Sequence, residues 1–142
     1  MNIAFPSMNT FNRVVQPKQP KFGESQPGIV DVNEANFEQE VVEASKNQPV
    51  LVKFYADWCG PCQRYAPEFM SHADSSSANV KSAQFNAGPK SSRGKLKVGR
   101  TMMKYGVVNI PTTILFKNGE PVEKFVGVHT QAEINEKIIQ HL

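Results

Sequence analysis

The most apolar run in the chain is Val50 to Ala56, interrupted only by Lys53. Its β-branched content and its lack of alternation predict a central strand covered on both faces. Upstream, Ile29 to Val32 reads as a short extended segment. Asn33 is placed to cap a helix whose apolar positions Phe37, Val41, Val42 and Ala44 form a stripe ending before Pro49. Downstream, a helix is expected from Cys59 to Ala73, bent at Pro67, because a proline ring removes one backbone donor and crowds the preceding turn. Val80 to Phe85 predicts a second core strand, Gly88 to Gly99 a loop rich in Gly, Ser and Lys, and Arg100 to Tyr105 a short helix. Asn118-Gly119 is a strong hairpin signal between strands Thr112 to Phe116 and Val122 to Val126. Thr130 and Glu133 have capping-box spacing for a last helix with Ile134, Ile138 and Leu142 along one face. This alternation implies an α/β fold in which a central mixed sheet carries helices on both faces.

The pattern begins late. Residues 1–28 contain Pro6, Pro17, Pro20 and Pro27 among Asn, Gln and Ser, with little periodicity, and read as a flexible extension. Pro17 and Pro20 have PxxP spacing, which arises readily by chance in such a composition. Residues 29–142 are then expected to form one domain, a size at which roughly two thirds of the unfolded surface can be buried. No stretch reaches the ~18 apolar residues of a membrane helix. An export signal is not expected, because Pro6 interrupts the first apolar patch and Arg13 is the first basic residue. A cytoplasmic location follows; organelle targeting by residues 1–28, which lack acids up to Gly23, is a secondary reading.

Charge is unevenly distributed. The net charge is +3, yet residues 30–80 hold three basic and eight acidic side chains, whereas residues 81–105 hold seven basic side chains and no acid. Lys90, Arg93, Lys95, Lys97 and Arg100 form the one basic run worth weighing as a docking surface, although such runs are usually solvated loop. Gly88 to Lys95 superficially resembles a phosphate-binding loop. Five residues separate its glycines instead of four, and Leu96 stands where Ser or Thr is needed, so nucleotide binding is rejected. No nucleic-acid partner is expected.

The chemistry lies in two cysteines, Cys59 and Cys62, too close in sequence to close a stabilising loop. They sit where the central strand ends and a helix begins. Free N–H groups and the dipole at a helix N-terminus favour a thiolate at Cys59, the form that attacks disulfides. Cys62, one turn on, is near enough to close a ring after a first attack. Pro61 suits the first helical turn, Gly60 permits close approach, and Trp58 offers an aromatic rim. A zinc site would need two further ligands, and His72, His129 and His141 are isolated, so no metal is expected. Two inert buried cysteines would be an odd use of such an elbow.

Trp58-Cys59-Gly60-Pro61-Cys62, followed by Pro67, Ile110-Pro111-Thr112, Lys117-Asn118-Gly119-Glu120 and Val126-Gly127, together resemble the thioredoxin family from about Ile29 to Leu142. The resemblance implies a thiol–disulfide oxidoreductase that reduces protein disulfides: Cys59 attacks, Cys62 resolves, and no cofactor is needed beyond this sulfur pair. It implies a cis bond before Pro111 and a substrate groove formed by Trp58, Ile110, Pro111 and Gly127. It implies disulfide-containing protein substrates, a thioredoxin reductase as electron donor, and a monomer.

Two departures from the family stand out. The ungapped register puts Lys53 where thioredoxins usually carry a buried Asp, and Gln84 where its facing lysine usually stands. Lys53 is therefore an active-site support residue if its charge reaches the sulfurs, which would make the pair more oxidising. Alternatively it snorkels to solvent and leaves them unaffected. The second departure is extra length between Asn86 and Thr101, which contains the basic run. Rival functions are a disulfide oxidant or isomerase, and a non-catalytic interaction module on the same fold.

Overall fold

The computed structural model describes residues 28–142. The proposed extension 1–28, with its PxxP spacing and targeting reading, lies outside the described residues but for Gly28. Five strands, β1 (Ile29–Val32), β2 (Val50–Tyr55), β3 (Lys81–Asn86), β4 (Thr112–Lys117) and β5 (Glu120–Val126), form one sheet in the order β1-β3-β2-β4-β5. β3 pairs in parallel with β1 and β2, whereas β4 runs antiparallel to β2 and β5. Among the described residues the α-helices are α1 (Gly60–Ser76), α2 (Arg100–Lys104) and α3 (Gln131–Ile139).

The buried side chains of β2 alternate between two cores. Val50, Val52 and Phe54 pack with Phe37, Val41, Met102, Ile114 and Phe116 beneath the first helical segment and α2. Leu51 packs with Tyr65, Phe69 and Ala73 of α1 and Ile134 and Ile138 of α3 on the opposite face. Burial on both faces explains why this strand is so nearly uniformly apolar. Its C-terminal end, between the two helical layers, delivers the chain into Trp58 and the two cysteines.

Two expectations need correction. The segment after Asn33 is not a regular α-helix: a wide-turned π-type stretch, Glu38–Glu43, tightens into a 3₁₀ turn, Ala44–Lys46. Its buried positions, Phe37, Val41 and Ser45, recur every four residues and face the sheet. Asn33 still caps the entry, its Oδ1 accepting the N–H groups of Ala35 at 2.8 Å and Asn36 at 3.1 Å. Leu142 does not join the apolar face of the last helix. That helix ends at Ile139, leaving Leu142 50% exposed while Ile134 and Ile138 are buried.

The turn signals appear as geometry. Asn118 and Gly119 have φ of 56° and 86°, the double left-handed turn that matches strand twist. Thr130 and Glu133 form a reciprocal capping box, with Glu133 N–H to Thr130 Oγ1 at 3.1 Å and Thr130 N–H to Glu133 Oε1 at 2.9 Å. At the far end from the cysteines, Ser45 receives the hairpin tip. Its carbonyl accepts Asn118 N–H and its Oγ accepts Gly119 N–H, both at 2.8 Å. Among the described residues, no helix is long and apolar enough to cross a membrane.

Candidate active site

Cys59 is the N-cap of α1 and Cys62 lies inside its first turn, with Pro61 between them. The two are joined as a disulfide with Cα atoms 5.2 Å apart. The backbone N–H of Cys62 points at Cys59 Sγ from 3.1 Å. After reduction, that donor and the positive end of a 17-residue helix stabilise charge on Cys59. Cys62 is fully enclosed, whereas Cys59 retains 5% exposure, so an incoming sulfur meets Cys59 first. The opening at Cys59 is small, because Ala56, Tyr55, Trp58 and Ile110 close around the pair.

A second segment faces the disulfide. The Ile110–Pro111 bond is cis, and the Ile110 carbonyl oxygen lies 3.8 Å from Cys59 Sγ. Gly127 N–H donates to the Pro111 carbonyl at 2.8 Å, tying the end of β5 to this loop. Gly127 has φ +98°, and a Cβ built there would meet nothing within 4 Å, so its backbone conformation is what favours glycine. The structure therefore brings Ile110 and Pro111 to Cys59 and links Gly127 to them. Trp58 stands beside Cys59 with its indole N–H donating to Gly88 O at 2.8 Å.

Lys53 does not snorkel. It is 1% exposed, on the sheet face covered by α1, and its ammonium lies 5.0 Å from both the Tyr55 and the Phe69 ring centroids. Loss of hydration lowers its pKa from 10.5 to about 8, against the opposing pull of Asp31. Lys53 sits directly opposite Gln84 of β3 and Thr113 of β4. Gln84 Nε2 donates to Asp31 Oδ1 at 2.8 Å, so the acid comes from β1, two strands away from the base. Thr113 Oγ1 is hydrogen-bonded to the Tyr65 hydroxyl at 2.7 Å. Burial raises the pKa of Tyr65, opposed by the Thr113 hydrogen bond. Burial, followed by Asp57 and Asp31, raises Tyr55 to about 12.

A mixed sheet that presents a disulfide at a helix N-terminus, one sulfur accessible and the other enclosed, opposite a cis-proline loop, defines a thiol–disulfide exchange protein. The thioredoxin family model matches residues 28–140. A thioredoxin of Alicyclobacillus acidocaldarius is 32% identical over 107 residues, spanning 75% of this chain and 91% of that protein. Thioredoxin 1 of Synechococcus elongatus is 36% identical over 111 residues, covering 78% and 94% respectively. A thioredoxin of Staphylococcus saprophyticus is 35% identical over 116 residues, covering 80% and 98%. The chain belongs to the thioredoxin family and is a thiol–disulfide oxidoreductase, reducing disulfides in protein substrates.

Sequence reasoning missed three features of this site. Asp31 sits at the end of a polar line through Gln84 toward Lys53, and only the strand order β1-β3-β2 reveals it. The Tyr65–Thr113 bond joins segments 48 residues apart, beyond any local signal. The supports of Trp58, Gly88 O and the Lys90 ammonium 5.2 Å from its ring centroid, come from the segment after β3.

Proposed function

We propose that Cys59 is the attacking thiolate and Cys62 the resolving thiol of a monomeric, cytoplasmic disulfide reductase that is itself re-reduced by a thioredoxin reductase. Cys59 sulfur bonds to one substrate sulfur and displaces the other as thiolate, forming a mixed disulfide. Cys62 then loses its proton, bonds to Cys59 sulfur, and releases the second substrate thiolate. Two electrons pass to the substrate, its thiolates take up protons from water, and the reductase returns two electrons to the pair. No bound cofactor is required. Trp58, Ile110, Pro111 and Gly127 form the groove that positions substrate backbone against Cys59, while Gly60 and Pro61 shape the turn between the sulfurs.

One observation carries this assignment: the Cys62 N–H aimed at Cys59 Sγ from 3.1 Å, with Cys62 itself sealed from solvent. Reduction of insulin disulfides by wild type, Cys59→Ser and Cys62→Ser tests it. Loss of turnover in both variants, with a substrate-linked mixed disulfide accumulating only in Cys62→Ser, is the expected result. Equal turnover in all three would leave only a non-catalytic interaction module on this fold.

Burial of Lys53 favours a second reading, in which the pair acts as a disulfide oxidant or isomerase. In that reading the cation enclosed beneath α1 acts on the thiolates, favours the reduced pair and raises its appetite for electrons.

A further inference from the structure

The segment Gly88–Gly99 is a built loop rooted on the active site. Ala87 N–H donates to Tyr55 O at 2.7 Å, Gly88 N–H to Asn86 Oδ1 at 2.8 Å, and Trp58 holds Gly88 O. Its tip closes on Ser91. Ser91 N–H reaches Lys95 O at 2.7 Å and Gly94 N–H reaches Ser91 O at 2.8 Å, while Ser91 Oγ accepts from Arg93 and Lys95 N–H at 3.3 and 3.2 Å. Leu96 and Val98 pack on the core, and just beyond the loop Glu34 clasps Thr101 through both its hydroxyl, at 2.7 Å, and its N–H, at 3.2 Å.

This scaffold leaves Arg93, Lys95, Lys97 and Arg100 exposed, while the Lys90 ammonium lies over Trp58, next to Cys59. Glu34 is engaged by Thr101, and Asp57 borders a cleft with Trp58, Asn86, Gly88 and Pro89. The base of the loop meets the site through Lys90 and Gly88 at Trp58, so a substrate whose disulfide reaches Cys59 approaches beside it. Charge on such a loop acts on encounter rates within about one Debye length, ~8 Å at physiological salt.

We propose that this loop is an electrostatic docking rim that selects protein disulfides flanked by acidic residues. The inference rests on the reductase reading above and names the substrate class of that same site. A protein partner is favoured over a nucleic acid because the rim abuts a group that acts on sulfur, and because residues 88–100 contain no aromatic side chain for base stacking.

The test uses three disulfide peptides, identical except for Glu, Gln or Lys on both sides of each cysteine, with rates normalised to reduction by dithiothreitol. Wild type at low salt is expected to reduce the Glu peptide with kcat/KM about 10-fold above the Gln peptide, a ratio that shrinks as salt rises. Arg93→Gln/Lys95→Gln/Lys97→Gln should bring that ratio close to one while still reducing the Gln peptide. No preference in wild type, or a preference that survives the triple substitution, overturns the rim. So does loop-dependent retention of a single-stranded DNA oligonucleotide without any peptide preference. Failure to reduce the Gln peptide at all overturns instead the reductase reading beneath it.

Discussion

The ammonium of Lys53 lies 5.0 Å from the ring centroid of Phe69, two turns along α1 from Cys62. The strand beneath the redox helix therefore contributes a buried cation. Cation–π contact with Phe69 and Tyr55 offsets part of the lost hydration, and the attraction of Asp31 offsets a further part.

If that charge is felt at the sulfurs, Lys53→Met removes thiolate stabilisation and makes the pair more reducing. The expected fall in reduction potential is about 30 mV, a tenfold change for a two-electron couple. Equilibration against a dithiothreitol redox buffer at pH 7 measures it. Equal potentials in wild type and variant would show that Lys53 does not tune the pair.

The same residue sets an alkaline stability profile. Its pKa is near 10.5 unfolded and about 8 folded, so the unfolded chain binds more protons between those values and stability rises with pH across that window. Below about pH 8 the full cost of burying the cation is present, about 3 kcal/mol. Urea unfolding of the oxidised protein is expected to find Lys53→Met more stable by about that much at pH 7, with the gap narrowing as the pH rises from about 8 to 10.5. Tyr55 and Tyr65, both raised, oppose further gain only above their ordinary pKa of 10. A gap independent of pH would contradict burial of a charged Lys53.

Tyr65 and Thr113 share the enclosed hydrogen bond between α1 and β4. Tyr65→Phe strands the Thr113 hydroxyl and should cost about 1–3 kcal/mol in chemical denaturation, whereas adding Thr113→Val should recover most of that loss. If the double variant is no more stable than the single, the hydroxyl pair is not the source of the cost.

Trp58→Phe keeps an aromatic ring beside Cys59 but cannot donate to Gly88 O. Amide hydrogen exchange across 88–99 should speed up about 10-fold, corresponding to roughly one lost hydrogen bond. Unaltered exchange there would mean that the loop holds its shape without Trp58.

Where local chemistry fixed the outcome, sequence was sufficient. The strand within the apolar run Val50–Ala56, the Asn118-Gly119 turn and the Thr130/Glu133 box all appear where their periods and caps placed them. The cysteine elbow was legible because strand, N-cap and proline fall within a few residues. The π-type turn at Glu38–Glu43 was not, since packing against the sheet sets its pitch and a stripe such as Phe37/Val41 fits either helix. The fate of Lys53 was equally hidden. Whether a lysine in a strand reaches water depends on the helix laid over it, and Phe69 and Asp31 lie far away in sequence.

Ser45 determines where this scaffold tolerates engineering. Because its carbonyl and hydroxyl both hold Asn118 and Gly119, the β4–β5 hairpin is a poor site for grafting peptides or opening new termini, although such tight turns often attract both. The Ser91–Lys95 tip, whose contacts are largely its own, is the better port for an inserted tag or fluorophore, and it would place that reporter on the loop that also holds Trp58.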